Sequence, residues 1–108
     1  MTIITSGVII KRGIRMIKSF QDTETQRVFS GLKSRKLPDS IQNIARRKLR
    51  MIDHAHVIDD LRIPPGNRLE RLTGNLQEFW SIRINIQWRI IFKWIEGEAH
   101  DVRIIDYH

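Results

Sequence analysis

The side chain best suited to proton transfer stands in the triplet Asp106-Tyr107-His108 that closes the sequence. Histidine is the one side chain whose ordinary pKa lies near physiological pH, and a terminal carboxylate beside it is a permanent anion that favours the protonated ring. The triplet follows an alternating segment (Val102, Ile104, Asp106), which places the imidazole at the end of a predicted strand. The chain carries 19 Lys+Arg against 12 Asp+Glu, a formal net charge of +7. A proton-transfer group in such a field points to chemistry on an anionic substrate. The competing reading is a solvent-exposed terminal residue with no role.

Arginine outnumbers lysine 13 to 6, a bias that suits bidentate recognition of phosphate, because the guanidinium fork matches a phosphate edge. Arg83 and Arg89 fall on neighbouring predicted strands joined by a tight turn, and alternation turns both away from the tryptophan-bearing face. Like charges facing each other are mildly destabilising, so the pair makes most sense with an anion between them. Arg68, Arg71, Lys93 and Arg103 extend the set. The alternative is a harmless solvated sheet face.

Other chemistries find little support. His54 and His56 form a His-X-His pair near the end of a predicted helix without a third ligand at metal spacing, and a helix C-terminal histidine is explained by the dipole. His100 stands just past a turn. No glycine-rich phosphate loop, serine elbow or productively spaced carboxylate pair is present, so neither a metal nor a cofactor is expected.

These groups must be positioned by one domain, since 108 residues hold one two-layer core. With no cysteine there is no disulfide framework, and the reducing cytoplasm is the expected compartment. Residues 1–15 carry three basic residues and no acid. Their apolar run Val8 to Ile10 is too short for a signal sequence or membrane span. They read as an extension, a loose tail or the product of an upstream start, with the domain beginning at Met16.

Ile17 and Phe20 bracket a short strand. Asp22 caps a helix running to about Ser30, which Gly31 ends. After Pro38, with Asp39 or Ser40 as the cap, Ile41, Ile44, Ala45, Leu49 and Ile52 recur at helical spacing. The opposite face carries Arg46, Arg47, Lys48 and Arg50 and reads as a solvated stripe that is also available to a polyanion. Asp59 to Asn67 is a loop around Pro64-Pro65-Gly66. Arg68 to Leu72 alternates, and Thr73-Gly74-Asn75 turns. Trp80, Ile82 and Ile84 share a strand face opposite Ser81 and Arg83, and Asn85-Ile86-Gln87 reverses the chain. Trp88, Ile90, Phe92 and Trp94 then share a face opposite Arg89, Ile91 and Lys93. Glu96-Gly97-Glu98 turns into a last strand from about Asp101 to Tyr107. Helices followed by an antiparallel meander make an α+β fold.

The segments MIKSF at 16–20, PPGNRLERLTGN at 64–75, SIRINIQWRIIFKW at 81–94 and the terminal DYH together resemble the HigB host-inhibition toxins of the RelE superfamily. The likeness covers Met16 to His108. It implies a RelE-like fold, in which two N-terminal helices pack on one face of a small, twisted, mainly antiparallel sheet. It further implies a bacterial type II toxin that enters the ribosomal A site and cleaves the mRNA being translated. The implied partner is a helix-turn-helix HigA-type antitoxin, through which alone operator DNA is contacted.

The implied reaction needs no metal. The ribose 2′-hydroxyl attacks the adjacent phosphorus in line, a base takes its proton, an acid protonates the leaving 5′-oxygen, and cations stabilise the added charge. By the resemblance His108 transfers a proton, Asp106 and Tyr107 orient it or contact RNA, and Arg89 of the QWR motif stabilises the transition-state phosphate. Arg83 positions the RNA backbone, with Arg68, Arg71 and Lys93 as further RNA contacts. Some HigB toxins carry a second histidine where this chain has Glu70. Glu70 is then either the group that accepts the 2′ proton or an ion-pair partner for Arg68 or Arg71. Trp80 and Trp88 read as core rather than base-stacking platforms. The alternative function is a non-catalytic module that binds RNA or the antitoxin as a co-repressor.

Overall fold

The alternation between Phe79 and Asp106 folds into three consecutive antiparallel strands. In the computed structural model, which describes residues 16–107, they are joined by a two-residue first strand. β1 (Glu70–Arg71), β2 (Phe79–Arg83), β3 (Trp88–Ile95) and β4 (Glu98–Asp106) lie side by side in that order. The expectations for residues 1–15 and for His108 fall outside the described residues.

Each reversal has a local cause. Between β2 and β3 the Asn85 side-chain oxygen accepts from the backbone N–H groups of Gln87 (2.8 Å) and Trp88 (2.7 Å), an Asx turn. Between β3 and β4, Glu96 (φ 51°) and Gly97 (φ 79°) are both left-handed, as a two-residue type I′ hairpin requires. The last strand therefore begins at Glu98, earlier than the expected Asp101, because only two residues are consumed by the turn.

The pairing of β3 with β4 shifts between Ile91 and Lys93, and Asp101 (φ 53°) is the extra residue of a β-bulge. The Ser19 hydroxyl fills the disturbed ladder by accepting from the Asp101 N–H at 2.8 Å. Residues 16–21 run parallel to β4 along its outer edge. Lys18 N–H donates to the Ala99 carbonyl and Ala99 N–H to that of Met16, both at 2.8 Å, and Gln21 N–H donates to Val102 at 2.9 Å. The short strand expected between Ile17 and Phe20 is thus realised as two parallel bridges, to Ala99 and Val102.

α1 (Thr23–Phe29) is capped by Asp22, whose carboxylate accepts from Thr25 N–H at 2.7 Å. α2 (Asp39–His54) starts differently from the sequence reading: Pro38 occupies the cap, and Asp39 and Ser40 belong to the first turn. A carboxylate there still complements the helix dipole, and Asp39 lies 3.4 Å from Lys33. The stripe Ile41, Ala45, Leu49 and Ile52 buries against Ile82, Ile90, Phe92, Val102 and Ile104, so both helices cover one sheet face. Trp80 and Trp88 pack against this core.

The expected solvated stripe of α2 needs correction. Arg46 donates from Nε to the Val28 carbonyl at 2.9 Å, tying the helices together. Lys48 is only 8% exposed, and its ammonium donates to the Asn67 side-chain oxygen. Asn67, fully buried, donates in turn to the carbonyls of Leu61 (3.1 Å) and Ile63 (3.4 Å). Burial, and secondarily the nearby Arg47 charge, hold the Lys48 pKa below the ordinary lysine value. The expected loop from Asp59 to Asn67 is organised around this network as two short 3₁₀ turns, Ile58–Arg62 and Pro65–Asn67, with Leu61 buried beneath.

Candidate active site on the open sheet face

The face of the sheet turned away from the helices is read directly from the strand register. One row runs Glu70, Ser81, Ile91, Arg103, and the next runs Arg83, Arg89, Ile105. Arg83 and Arg89 are direct cross-strand partners, one of the registers that alternation and a tight turn allow. Arg83 is steered toward the turn, donating from Nε to the Asn85 carbonyl at 3.2 Å.

Arg89 is the centre of the arrangement. Its side chain is 13% exposed. Nη1 donates to the Ser81 hydroxyl at 2.8 Å and lies 3.2 Å from Glu70 Oε1. The guanidinium carbon stands 4.9 Å from the centre of the Tyr107 ring, a cation–π contact. A guanidinium, a carboxylate, a hydroxyl and a phenol therefore converge from β1, β2, β3 and the residue after β4.

Other sequence-predicted site residues are placed less centrally. Asp106 and Tyr107 point to opposite sides, as alternation demands: Tyr107 reaches Arg89, whereas the Asp106 carboxylate accepts from Gln87 Nε2 at 3.0 Å. Lys93 is on the Arg89 face but four residues along β3, about 13 Å away at the usual strand rise. It pairs with Asp101 at 3.4 Å and covers the Phe79 ring. Arg71 is not brought to this face. It pairs with Trp80 across the strands, stacks 5.4 Å from that ring and donates to the Gln77 carbonyl. Arg68 precedes the sheet in a left-handed conformation (φ 46°) and is exposed. His108 lies outside the described residues.

Two findings were not foreseen from sequence. The ion-pair partner of Glu70 is Arg89, rather than Arg68 or Arg71, because β1 is only two residues long and pairs Glu70 with Ser81. Ser81, read only as an alternating polar position, is fully buried and touches the central arginine. Arg103, one row from Arg89, has a buried Nε with no hydrogen-bond partner among the described residues. Among those residues no three His, Cys, Asp or Glu side chains cluster as metal ligands would. No helix among them is long and apolar enough to cross a membrane.

Two helices on one face of a four-stranded antiparallel sheet make the arrangement of a RelE-like fold, with an arginine-centred polar cluster on the other face. Residues 18–108 match the family described as the RelE-like toxin of the type II toxin-antitoxin system HigB, and the chain belongs to that family. It is 46% identical over 85 residues to a protein of Vibrio cholerae serotype O1 named Toxin HigB-1, covering 78% of this chain and 90% of that one. It is 31% identical over 93 residues to the Endoribonuclease HigB of Proteus vulgaris, covering 86% of this chain and all of the relative. An uncharacterized protein of Haemophilus influenzae is 39% identical over 67 residues, 62% of this chain and 66% of its own length. Family membership makes an antitoxin the partner of this chain.

Proposed function

We propose that this protein is an endoribonuclease that cuts mRNA in the ribosomal A site during translation, without a metal ion, and so halts protein synthesis. Its inhibitor on this reading is a HigA-type helix-turn-helix antitoxin, through which alone the toxin is brought to operator DNA, and its compartment is the cytoplasm. The name of the Proteus vulgaris relative supports nuclease chemistry. The observation that carries the reading is the cross-strand pair Arg83 and Arg89, with Glu70 and Tyr107 gathered on Arg89.

Glu70 meets Arg89 from one side only and is half-exposed, so the two guanidinium groups on adjacent strands keep capacity for a further anion. On this reading the scissile phosphate is that anion: Arg83 holds the RNA backbone and Arg89 stabilises the charge that accumulates as phosphorus becomes five-coordinate. Proton transfer is assigned to Glu70 and to His108, which follows Tyr107 in the sequence. One takes the 2′-hydroxyl proton as the O2′–P bond forms, and the other supplies a proton to O5′ as the P–O5′ bond breaks. The products are a 2′,3′-cyclic phosphate and a 5′-hydroxyl. Tyr107 packs on the guanidinium and contacts RNA, Asp106 orients the terminal segment, and Arg68 and Lys93 contact flanking phosphates, whereas Arg71, turned to the other face against Trp80, is left out of the clamp. The activity is assigned to residues 16–108, with 1–15 as an extension.

Mapping 5′ ends on messages under translation tests the reading. Cuts at fixed positions within codons are expected with the wild type. Losses of about 10²- to 10³-fold are expected for Arg89→Ala and of about 10²- to 10⁴-fold for His108→Ala, both still bound by antitoxin. A chain beginning at Met16 should cut as well as the full one. Salt-sensitive RNA binding with no cleavage by the wild type would replace the enzyme with a binding module.

A further inference from the structure

We infer that Ser81 is a positioning residue that anchors one nitrogen of Arg89 and so presents the opposite edge of the guanidinium to the phosphate. The inference rests on the endoribonuclease reading for its consequence, though the anchoring itself is a statement about geometry.

Ser81 is fully buried, and a buried hydroxyl is unfavourable unless it is hydrogen-bonded. Its Oγ accepts from Arg89 Nη1 at 2.8 Å. The two residues are not direct cross-strand partners: Ser81 faces Ile91, and Arg89 faces Arg83. The arginine therefore leans diagonally over the sheet, toward the row that holds Glu70 and Ser81, and away from the like charge of Arg83.

The three contacts on Arg89 constrain it in different ways. The Tyr107 ring lies against the guanidinium without fixing any one of its nitrogens, so that contact alone leaves the group able to turn. Glu70 is half-exposed, and an ion pair open to water is readily exchanged for solvent. The buried Ser81 hydroxyl is the contact that water does not replace. With Nη1 occupied, Nε and Nη2 have no partner among the described residues. These two nitrogens form the side edge of the fork, whose parallel N–H bonds match two oxygens of one phosphate. Without Ser81, Nη1 competes with that edge for the phosphate, and the in-line geometry is populated less often.

Ser81→Ala removes one oxygen and leaves volume and strand propensity nearly unchanged, so a purely structural role predicts little effect on catalysis per folded molecule. We expect kcat on translating ribosomes to fall about 10- to 100-fold, with KM changed less than about twofold. The same substitution in an Arg89→Ala background should cost nothing further, since the two act as a unit. Equal losses in both backgrounds, or a wild-type kcat for Ser81→Ala, would overturn the inference. Nitrogen NMR of Arg89 gives a readout independent of activity: rotation of the Nη1 group should be slow in the wild type and fast in Ser81→Ala. Free rotation in the wild type overturns the anchoring however the variant folds. If the wild type does not cut mRNA but rotation is slow and released by the substitution, the nuclease reading fails while the anchor stands.

Discussion

Lys48 and Arg89 are both cations largely withdrawn from water, one between the helices and the 3₁₀ turns and one on the open sheet face, and they differ in what remains unbound. The Lys48 ammonium ends on Asn67, whose own amide hydrogens go to the carbonyls of Leu61 and Ile63. That network is closed. Arg89 is held at Nη1 by Ser81 and Glu70, and its second edge is left over. Burial of a charge therefore does not mark a site in this molecule. What sets the proposed site apart is a charge fixed on one side and left open on the other.

Substitution can break this contrast most sharply at Arg89. Replacing Arg89 with alanine should reduce cleavage about 10²- to 10³-fold, the usual loss for one donor to a developing oxyanion. The melting temperature should fall only modestly, because Glu70 is exposed enough to be rehydrated and the buried Ser81 hydroxyl loses one hydrogen bond, a cost of about 1–2 kcal/mol. A large drop in melting temperature would instead make Arg89 a second Lys48. On the closed side, Asn67→Ala should cost about 3 kcal/mol of stability by stranding a buried ammonium, measured by urea unfolding, with cleavage per folded molecule intact.

Lys48→Met is milder, about 1–2 kcal/mol, since one neutral acceptor on Asn67 is orphaned while the buried charge disappears. It also carries a pH signature. The folded-state pKa of Lys48 is lowered, so the unfolded chain binds more protons between that value and the ordinary lysine pKa. Wild-type stability gains a rising component across that alkaline window, and the gap between wild type and Lys48→Met should widen there. A gap independent of pH would mean that the lysine is not desolvated.

Asp60 provides the smallest effect. Backbone N–H groups of His56 and Val57 donate to its carboxylate and hold its pKa below the ordinary value. Its contribution is present above the ordinary carboxylate pKa and is lost as the pH falls through the lowered one. Asp60→Ala should melt slightly lower than wild type at neutral pH, and the two curves should converge in strong acid.

The facing of Arg83 and Arg89 was legible because period-two alternation sets it, whereas their direct pairing depends on the register that the Asn85 turn imposes. The buried stripe of α2 was legible for the parallel reason of helical spacing. Lys48 was misplaced because its neighbours on the helix surface are basic, and the partner that draws it inward, Asn67, lies 19 residues away with no shared period. The partner of Glu70 was misassigned for a related reason. A strand of two residues has no alternation to read, so its register is set by the sheet it joins. Ser81 sat on the correct face from the outset, but a lone serine in a strand has no pattern that distinguishes an anchor from a solvated position. The Asp101 bulge was invisible because a left-handed aspartate leaves no mark on an otherwise apolar-alternating run.

The segment 16–21 zips along β4, and Ser19 meets Asp101 across 82 positions of sequence. During synthesis the first of these strips emerges from the ribosome long before its counterpart exists. The sheet cannot close its outer margin, nor Tyr107 arrive over Arg89, until nearly the whole domain has been translated. The parts of the proposed site therefore come together late in synthesis rather than early.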